Sequence, residues 1–330
     1  MNSAWLIHAP RGYGKWQALK SAAGALLCES PQDVNESDVP STRLPSALTQ
    51  HRACGHCASC ALVEAGTHPD LLVAVPEALW SELGLTTTDD TPTRTDSKTA
   101  SHDIRIEQIR RLNDWAVSTS HRGKAKVALI YPADALNPAA ANALLKTLEE
   151  PPQAVQFLLG AHRLDALLPT IRSRCRQAAM SRPAATAARR QLGESAAHEA
   201  VFAWCQGAIY QSDPASGLEW TVSLLDLASR PGGDPASSTL PPPPDYATGV
   251  AALLKICSDL QRVQVGGSAL YLPQQQQALA QLARRIAPMR LGDALHTLCA
   301  KQRLARFPLN QALASDTLLL EFAQLFSTGD

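Results

Sequence analysis

Charge is scarce in this sequence, and what there is cancels. Charged residues make up 18% of the 330, with thirty basic residues against thirty acidic ones, where an ordinary globular chain is roughly a quarter charged. A chain without net charge has no global attraction for nucleic acid or anionic lipid, so any contact with DNA must be local or shared with partners. Long hydrophobic runs are missing too. No stretch approaches the ~20 apolar residues of a membrane span. The opening Met1-Asn2-Ser3-Ala4-Trp5-Leu6-Ile7-His8 lacks the basic segment and apolar core of a secretory signal. The expectation is a soluble, cytoplasmic protein without a membrane partner. A disulfide framework is also absent. Half of the eight cysteines (Cys28, Cys54, Cys57, Cys60, Cys175, Cys205, Cys257, Cys299) crowd into the first fifth of the chain. In a reducing compartment such crowding points to metal ligands.

What is present is apolar bulk. At 45% hydrophobic residues, many of them alanine and leucine, the chain has ample material for close-packed helices, and its length suits two or three domains of about 100–200 residues each. The runs Trp5-Leu6-Ile7-His8, Asp70-Leu71-Leu72-Val73-Ala74-Val75, Lys126-Val127-Ala128-Leu129-Ile130-Tyr131 and Val155-Gln156-Phe157-Leu158-Leu159-Gly160 are nearly continuous apolar strands. Helical patterns separate them, at Lys15 to Cys28, through Ile106, Ile109, Leu112 and Ala116, and from Ala139 to Leu148. Alternation of this kind predicts a buried parallel sheet in an α/β domain ending near residue 180. Beyond Pro183 only helical patterns remain, interrupted by a Pro/Gly/Ser linker from Arg230 to Pro244 that is expected to stay extended. Polar insertions at 29–53 and 81–102 read as exposed loops.

The first strand runs into Ala9-Pro10-Arg11-Gly12-Tyr13-Gly14-Lys15-Trp16. A working phosphate loop follows G-x-x-x-x-G-K-[ST], with backbone amides around the phosphates, the lysine on the terminal ones and the hydroxyl on magnesium. Gly12, Gly14 and Lys15 survive as remnants, but Ala9 replaces the first glycine and Trp16 the hydroxyl. An indole cannot ligate magnesium. The acidic pair that an ATPase places after a later strand is also missing, because Val127-Ala128-Leu129-Ile130 continues into Tyr131-Pro132 and Asp134 comes too late.

Cys54-Gly55-His56-Cys57-Ala58-Ser59-Cys60 spaces three thiols so that a turn and a helix start can aim them at one tetrahedral ion. Cys28 is the best fourth ligand, with His51, His56 and His68 as alternatives. Four thiolates would close the shell and leave no open position, so the site is read as structural zinc.

Asn142-Ala143-Leu144-Leu145-Lys146-Thr147-Leu148-Glu149-Glu150-Pro151-Pro152 closely resembles the signature helix of bacterial clamp-loader AAA+ subunits, and Ser173-Arg174-Cys175 matches that family's Ser-Arg-Cys motif. Thr67-His68-Pro69-Asp70, after the cysteines, is a further match. More weakly, Pro308-Leu309-Asn310-Gln311-Ala312-Leu313 with Leu318-Leu319-Leu320-Glu321 is similar to the last helices of the family.

The resemblance is dense over residues 1–180 and thin beyond. It implies an AAA+ α/β domain with a P-loop-type parallel sheet (1–181, with a zinc module inserted at 28–60), then two all-helical domains. These are a small lid (182–222) and a collar that oligomerises (223–330, including the linker 230–244). It further implies that Arg174, between Ser173 and Cys175, is an arginine finger projecting into a neighbouring subunit's ATP site. The family's motor subunits (gamma or tau) keep an intact phosphate loop, and its delta subunit lacks both the cysteines and the finger. This chain has cysteines and finger but no magnesium-holding groups, which marks it as a stator that does not bind ATP productively. The implied partners are gamma/tau and delta and, through the assembled complex, the sliding clamp and primed DNA. Two rivals stand beside this reading. One is an active motor ATPase with a non-standard metal site. The other is a zinc ribbon that binds nucleic acid directly, against which stands the lack of base beyond Arg52 and of any stacking aromatic around Cys54 to Cys60.

Overall fold

The computed structural model describes residues 4–34, 44, 45, 48, 50–85, 100–123, 125–152, 154–183, 196–210, 213, 215–229, 240–304 and 310–326. Much of the predicted insertions, part of the linker (230–239), the start of the predicted lid (184–195) and Pro308-Leu309 lie outside the described residues. The chain divides into two compact units, one made of Met1–Ala184 with Tyr210–Ser212, the other of Ala185–Ile209 with Asp213–Asp330.

The first unit is built on the strands β1 (Ala4–His8), β4 (Leu71–Ala74), β5 (Lys126–Ile130), β6 (Val155–Ala161) and β7 (Arg176–Ala179). They form one sheet of order β4-β5-β6-β1-β7, parallel throughout. The apolar runs are continuous because both faces are covered. Leu6, Ala128, Ile130, Phe157 and Leu159 point to one side, where Ile109 and Leu112 of α3 (Ile106–Val117) and Leu144 and Leu148 of α4 (Pro138–Glu149) complete the core. Trp5, Ile7, Val127, Leu129 and Leu158 point to the other, against Trp16, Leu19, Ala23 and Leu27 of α1 (Lys15–Leu27). Adjacent residues of one strand thus feed two cores.

Three short strands were not visible in the sequence. β7 is a short polar edge strand without apolar alternation, and it forms because its register with β1 (Leu6 opposite Gln177) satisfies its backbone. Inside the stretch read as a loop, β2 (Gln32–Asp33) and β3 (His51–Arg52) make a two-stranded antiparallel ribbon.

Gly160 in β6 lets α1 approach the sheet. A Cβ there would lie 2.6 Å from Leu19 Cδ1 and 2.8 Å from Tyr131 Cδ2. Gly160→Ala is therefore expected to destabilise the chain by about 1–3 kcal/mol through overpacking. Denaturant unfolding checks this, and an unchanged midpoint would contradict the packing described.

Helices dominate the second unit: Ala196–Trp204, Leu218–Ala228, Tyr246–Gln264, Gln276–Ala283, Pro288–Leu304 and Gln311–Gln324. The longest buries Val250, Leu253, Ile256 and Leu260 in a core that runs on to Phe326. Asp245 caps its start, accepting from Thr248 N at 2.9 Å. Buried Asp259 accepts from the N–H groups of Leu270, Tyr271 and Leu272 and so ties down the turn that follows. No described helix is long and apolar enough to cross a membrane.

Candidate functional site

The first unit carries three features of interest: a thiol cluster, a filled phosphate loop and an arginine at a helix end. Helix α1 ends at Leu27, so Cys28 leaves it in extended conformation. Gly55, at φ +81°, makes the tight turn between Cys54 and Cys57 that a side chain would strain. Cys57 then opens α2 (Ala58–Glu64) as its N-cap, accepting from Cys60 N at 3.4 Å.

The result is four sulfurs within 4.8 Å of one another, with Cys28–Cys57 and Cys54–Cys60 both at 3.9 Å and Cys28–Cys60 at 3.7 Å. A tetrahedron with metal–sulfur bonds of about 2.3 Å has edges of about 3.8 Å, so the cluster has the size of a tetrathiolate metal site and could hold one ion. Backbone donors already serve the sulfurs. Cys54 N lies 3.3 Å from Cys28 Sγ, and the N–H groups of Glu29 and Cys60 pull the Cys57 thiol down to about 6. Burial pushes Cys60 up to about 12, so that thiolate needs a cation beside it.

The histidine alternatives are otherwise engaged. His51 pairs with Asp33 at 2.8 Å, His56 Nδ1 lies 2.9 Å from the Cys54 carbonyl, and His68 Nδ1 accepts from Asp70 N at 3.0 Å.

The Thr67-His68-Pro69-Asp70 match acquires a physical meaning in this setting. Buried Asp70 accepts from Ser120 Oγ (3.1 Å), His121 N (2.8 Å) and Arg122 N (2.9 Å). Burial alone would raise its pKa, but those N–H groups outweigh it and hold the carboxylate ionised. Arg122 in turn donates to Glu29 at 2.7 Å, and Glu29 also takes the N–H and hydroxyl of Ser59. This relay ties the cysteine module to the edge of the sheet.

The phosphate loop is occupied by the chain itself. Gly12 and Gly14 both adopt φ +79°, the left-handed region that favours glycine. Lys15 is buried, and its Nζ donates to the carbonyls of Ala9 (2.8 Å) and Pro10 (2.7 Å) instead of pointing out of the loop. Burial pulls its pKa down to about 8. Tyr210 N donates to Gly12 O at 2.9 Å, and its ring lies so close over Gly14 that a Cβ there would sit 2.7 Å from it. Trp16 is buried with its ring 5.6 Å from Tyr131, which meets His162 edge-on at 5.4 Å. Asp134 accepts from His162 N at 2.6 Å. Aromatic packing thus stands at both positions where a magnesium ligand would be needed. Tyr210 had no signal in the sequence, because nothing local to it resembles a nucleotide motif.

The Ser-Arg-Cys motif ends α5 (Pro169–Arg174). Its three residues divide the work. Cys175 is buried in the sheet core, where its thiol is pushed up to about 11. Ser173 Oγ donates to the Thr170 carbonyl at 3.1 Å. Arg174 reaches the surface, donating from Nη1 to Thr170 O at 3.0 Å and from Nη2 to Glu149 at the end of α4. Arg176, two residues on, instead lies 4.3 Å over the Trp5 ring.

The chain is similar in sequence to known proteins. A family model described as "DNA polymerase III, delta subunit" matches residues 1–184. The chain is 34% identical to DNA polymerase III subunit delta' of Pseudomonas aeruginosa over 71% of this chain and 54% of that protein. It is 36% identical to DNA polymerase III subunit delta' of Escherichia coli K12 over 52% of this chain and 40% of that protein. Similarity extends to DNA polymerase III subunit tau of E. coli K12, 32% identical over 54% of this chain and 21% of that protein. The matches thus span about half, or less, of these relatives' own lengths.

Proposed function

The chain belongs to the DNA polymerase III delta-subunit family, and from that premise we propose that it serves as the delta-prime subunit of a bacterial clamp loader, a stator without ATPase chemistry of its own. Arg174 reaches into the ATP site of an adjacent motor subunit and meets the negative charge that develops on the transferring phosphoryl group. A finger supplied in trans is worth about 10³–10⁵ in rate. Ser173 and Cys175 fix the helix end that carries it. The partners are the gamma/tau and delta subunits, and the assembled complex acts on the sliding clamp and primed DNA during cytoplasmic replication. Residues 182–222 act as the lid and 223–330 as the collar that joins the subunits. Cys28, Cys54, Cys57 and Cys60 hold a structural zinc ion, whose chemistry is to cross-link the module that Glu29 and Asp70 dock against the sheet.

The observation that carries the stator reading is the loop occupied from within. Lys15 is spent on Ala9 and Pro10, Tyr210 covers Gly14, and Trp16 with Tyr131 replaces the magnesium ligands. To accept a triphosphate the chain would have to strip a buried ammonium of both its acceptors and displace a packed aromatic ring, costs that a nucleotide lacking its magnesium site cannot offset.

Calorimetric titration of the isolated chain with ATP and magnesium tests this. No magnesium-dependent binding is expected at millimolar nucleotide. Micromolar affinity would favour the motor-subunit rival. Direct DNA binding by the cysteine module is less well supported, since Arg52 already donates to Gln32 at 2.9 Å.

A further inference from the structure

The signature helix ends in Glu149, and 25 residues separate it from Arg174 in sequence. In the fold they meet, because α4 and α5 pack side by side and both end at the same place. We propose that Glu149 is the positioning residue for Arg174, holding the guanidinium in one place at the end of α5 until a neighbouring subunit's nucleotide takes it over. The proposal rests on the reading of Arg174 as a finger.

The geometry carries it in three ways. First, the guanidinium is held at two nitrogens, Nη1 by the Thr170 carbonyl and Nη2 by the Glu149 carboxylate. Arginine has many rotamers, and freezing one such side chain costs the equivalent of about a two- to tenfold change in an equilibrium or rate. A chain that holds the side chain in place beforehand has already met that cost.

Second, the pair is releasable. The Arg174 and Glu149 side chains are 31% and 47% exposed, and an exposed pair of this kind contributes little to stability. A terminal phosphate carries more charge and can accept two parallel bonds from the fork of an arginine, so it can displace a single carboxylate.

Third, the pairing is selective. Arg172, Arg174 and Arg176 flank one another, yet among the described residues Arg174 is the one of the three seen in an ion pair. Of the two adjacent acids, Glu149 makes it, whereas Glu150, the residue that caps α4, is in no ion pair seen among the described residues.

The test uses the reconstituted clamp loader with full-length chains. Glu149→Ala is expected to lower the kcat of DNA-stimulated ATP hydrolysis about two- to tenfold with little change in the KM for ATP. Glu149→Gln, which keeps an acceptor oxygen, should retain most of the rate, and Glu150→Ala, which removes the same charge next door, should leave it unaltered. In an Arg174→Ala background Glu149→Ala should change nothing further. Equal losses in both backgrounds, or wild-type turnover for Glu149→Ala, would overturn the positioning role. If Arg174→Ala by itself left hydrolysis unaltered, the finger reading would fall first and this proposal with it. A large Arg174→Ala effect without a Glu149→Ala effect overturns this proposal alone. Unchanged metal content and melting temperature in each variant exclude misfolding as the cause.

Discussion

Arg174→Ala, assembled with wild-type partners, is expected to lower ATP hydrolysis at the adjoining motor site by about 10³-fold or more. The loss should appear in kcat and in clamp loading on primed DNA, while assembly of the complex stays intact. The reason lies in how little the residue does within its own chain. Its bonds to Thr170 and Glu149 are at the surface, so truncation should change the stability of the free subunit by less than about 1 kcal/mol. A residue that is nearly neutral in the isolated chain and decisive in the complex can act only across an interface. Arg174→Lys would keep the charge but lose the planar fork, so it should recover only part of the rate. Wild-type hydrolysis and loading with Arg174→Ala would sink the assignment.

Removal of the metal should have the second large effect. One zinc per chain is expected in purified protein, and Cys60→Ser, or stripping with a chelator, should destabilise the first unit by more than about 4 kcal/mol, the range that includes loss of a metal site. Besides the Glu29–Arg122–Asp70 relay that docks it, the module has little regular structure to hold it. Its ribbon is two residues per strand and α2 is seven residues long, too short to persist in isolation. Without the ion, the four converging sulfurs would have only backbone N–H groups and weak thiol–thiol contacts for partners. Hydrogen exchange should show 28–60 opening while β5 and β6 stay protected. Less than half an equivalent of zinc, with all four thiols freely reactive, would rule the site out.

Much of this was legible beforehand because it is local. A parallel strand covered on both faces is nearly continuously apolar, so β1, β5 and β6 declared themselves, and the half-buried edge strand β4 did so by its own apolar run. Cys54, Cys57 and Cys60 carry their geometry in their spacing, and the replacement of a hydroxyl by Trp16 needs no coordinates to be read. The signature helix was visible for the same reason, as the run from Ala139 to Leu148 stopped by Pro151 and Pro152, and the structure adds Asn137 as its N-cap and Pro138 as its first residue.

What depends on distant parts of the chain was decided only by the tertiary structure. That Cys28, rather than one of three histidines, joins the sulfurs follows from where α1 ends relative to α2. That Tyr210 covers Gly14 follows from packing between segments far apart in sequence, and that Lys15 turns back to Ala9 and Pro10 follows from how the closed loop directs its side chain. The pairing of Glu149 with Arg174 has the same origin, since two helices with no local signal for one another end side by side. Hydrophobic period and ligand spacing are written within a few residues, whereas the partner of a buried or charged group is chosen by whichever segment the fold brings within about 3 Å.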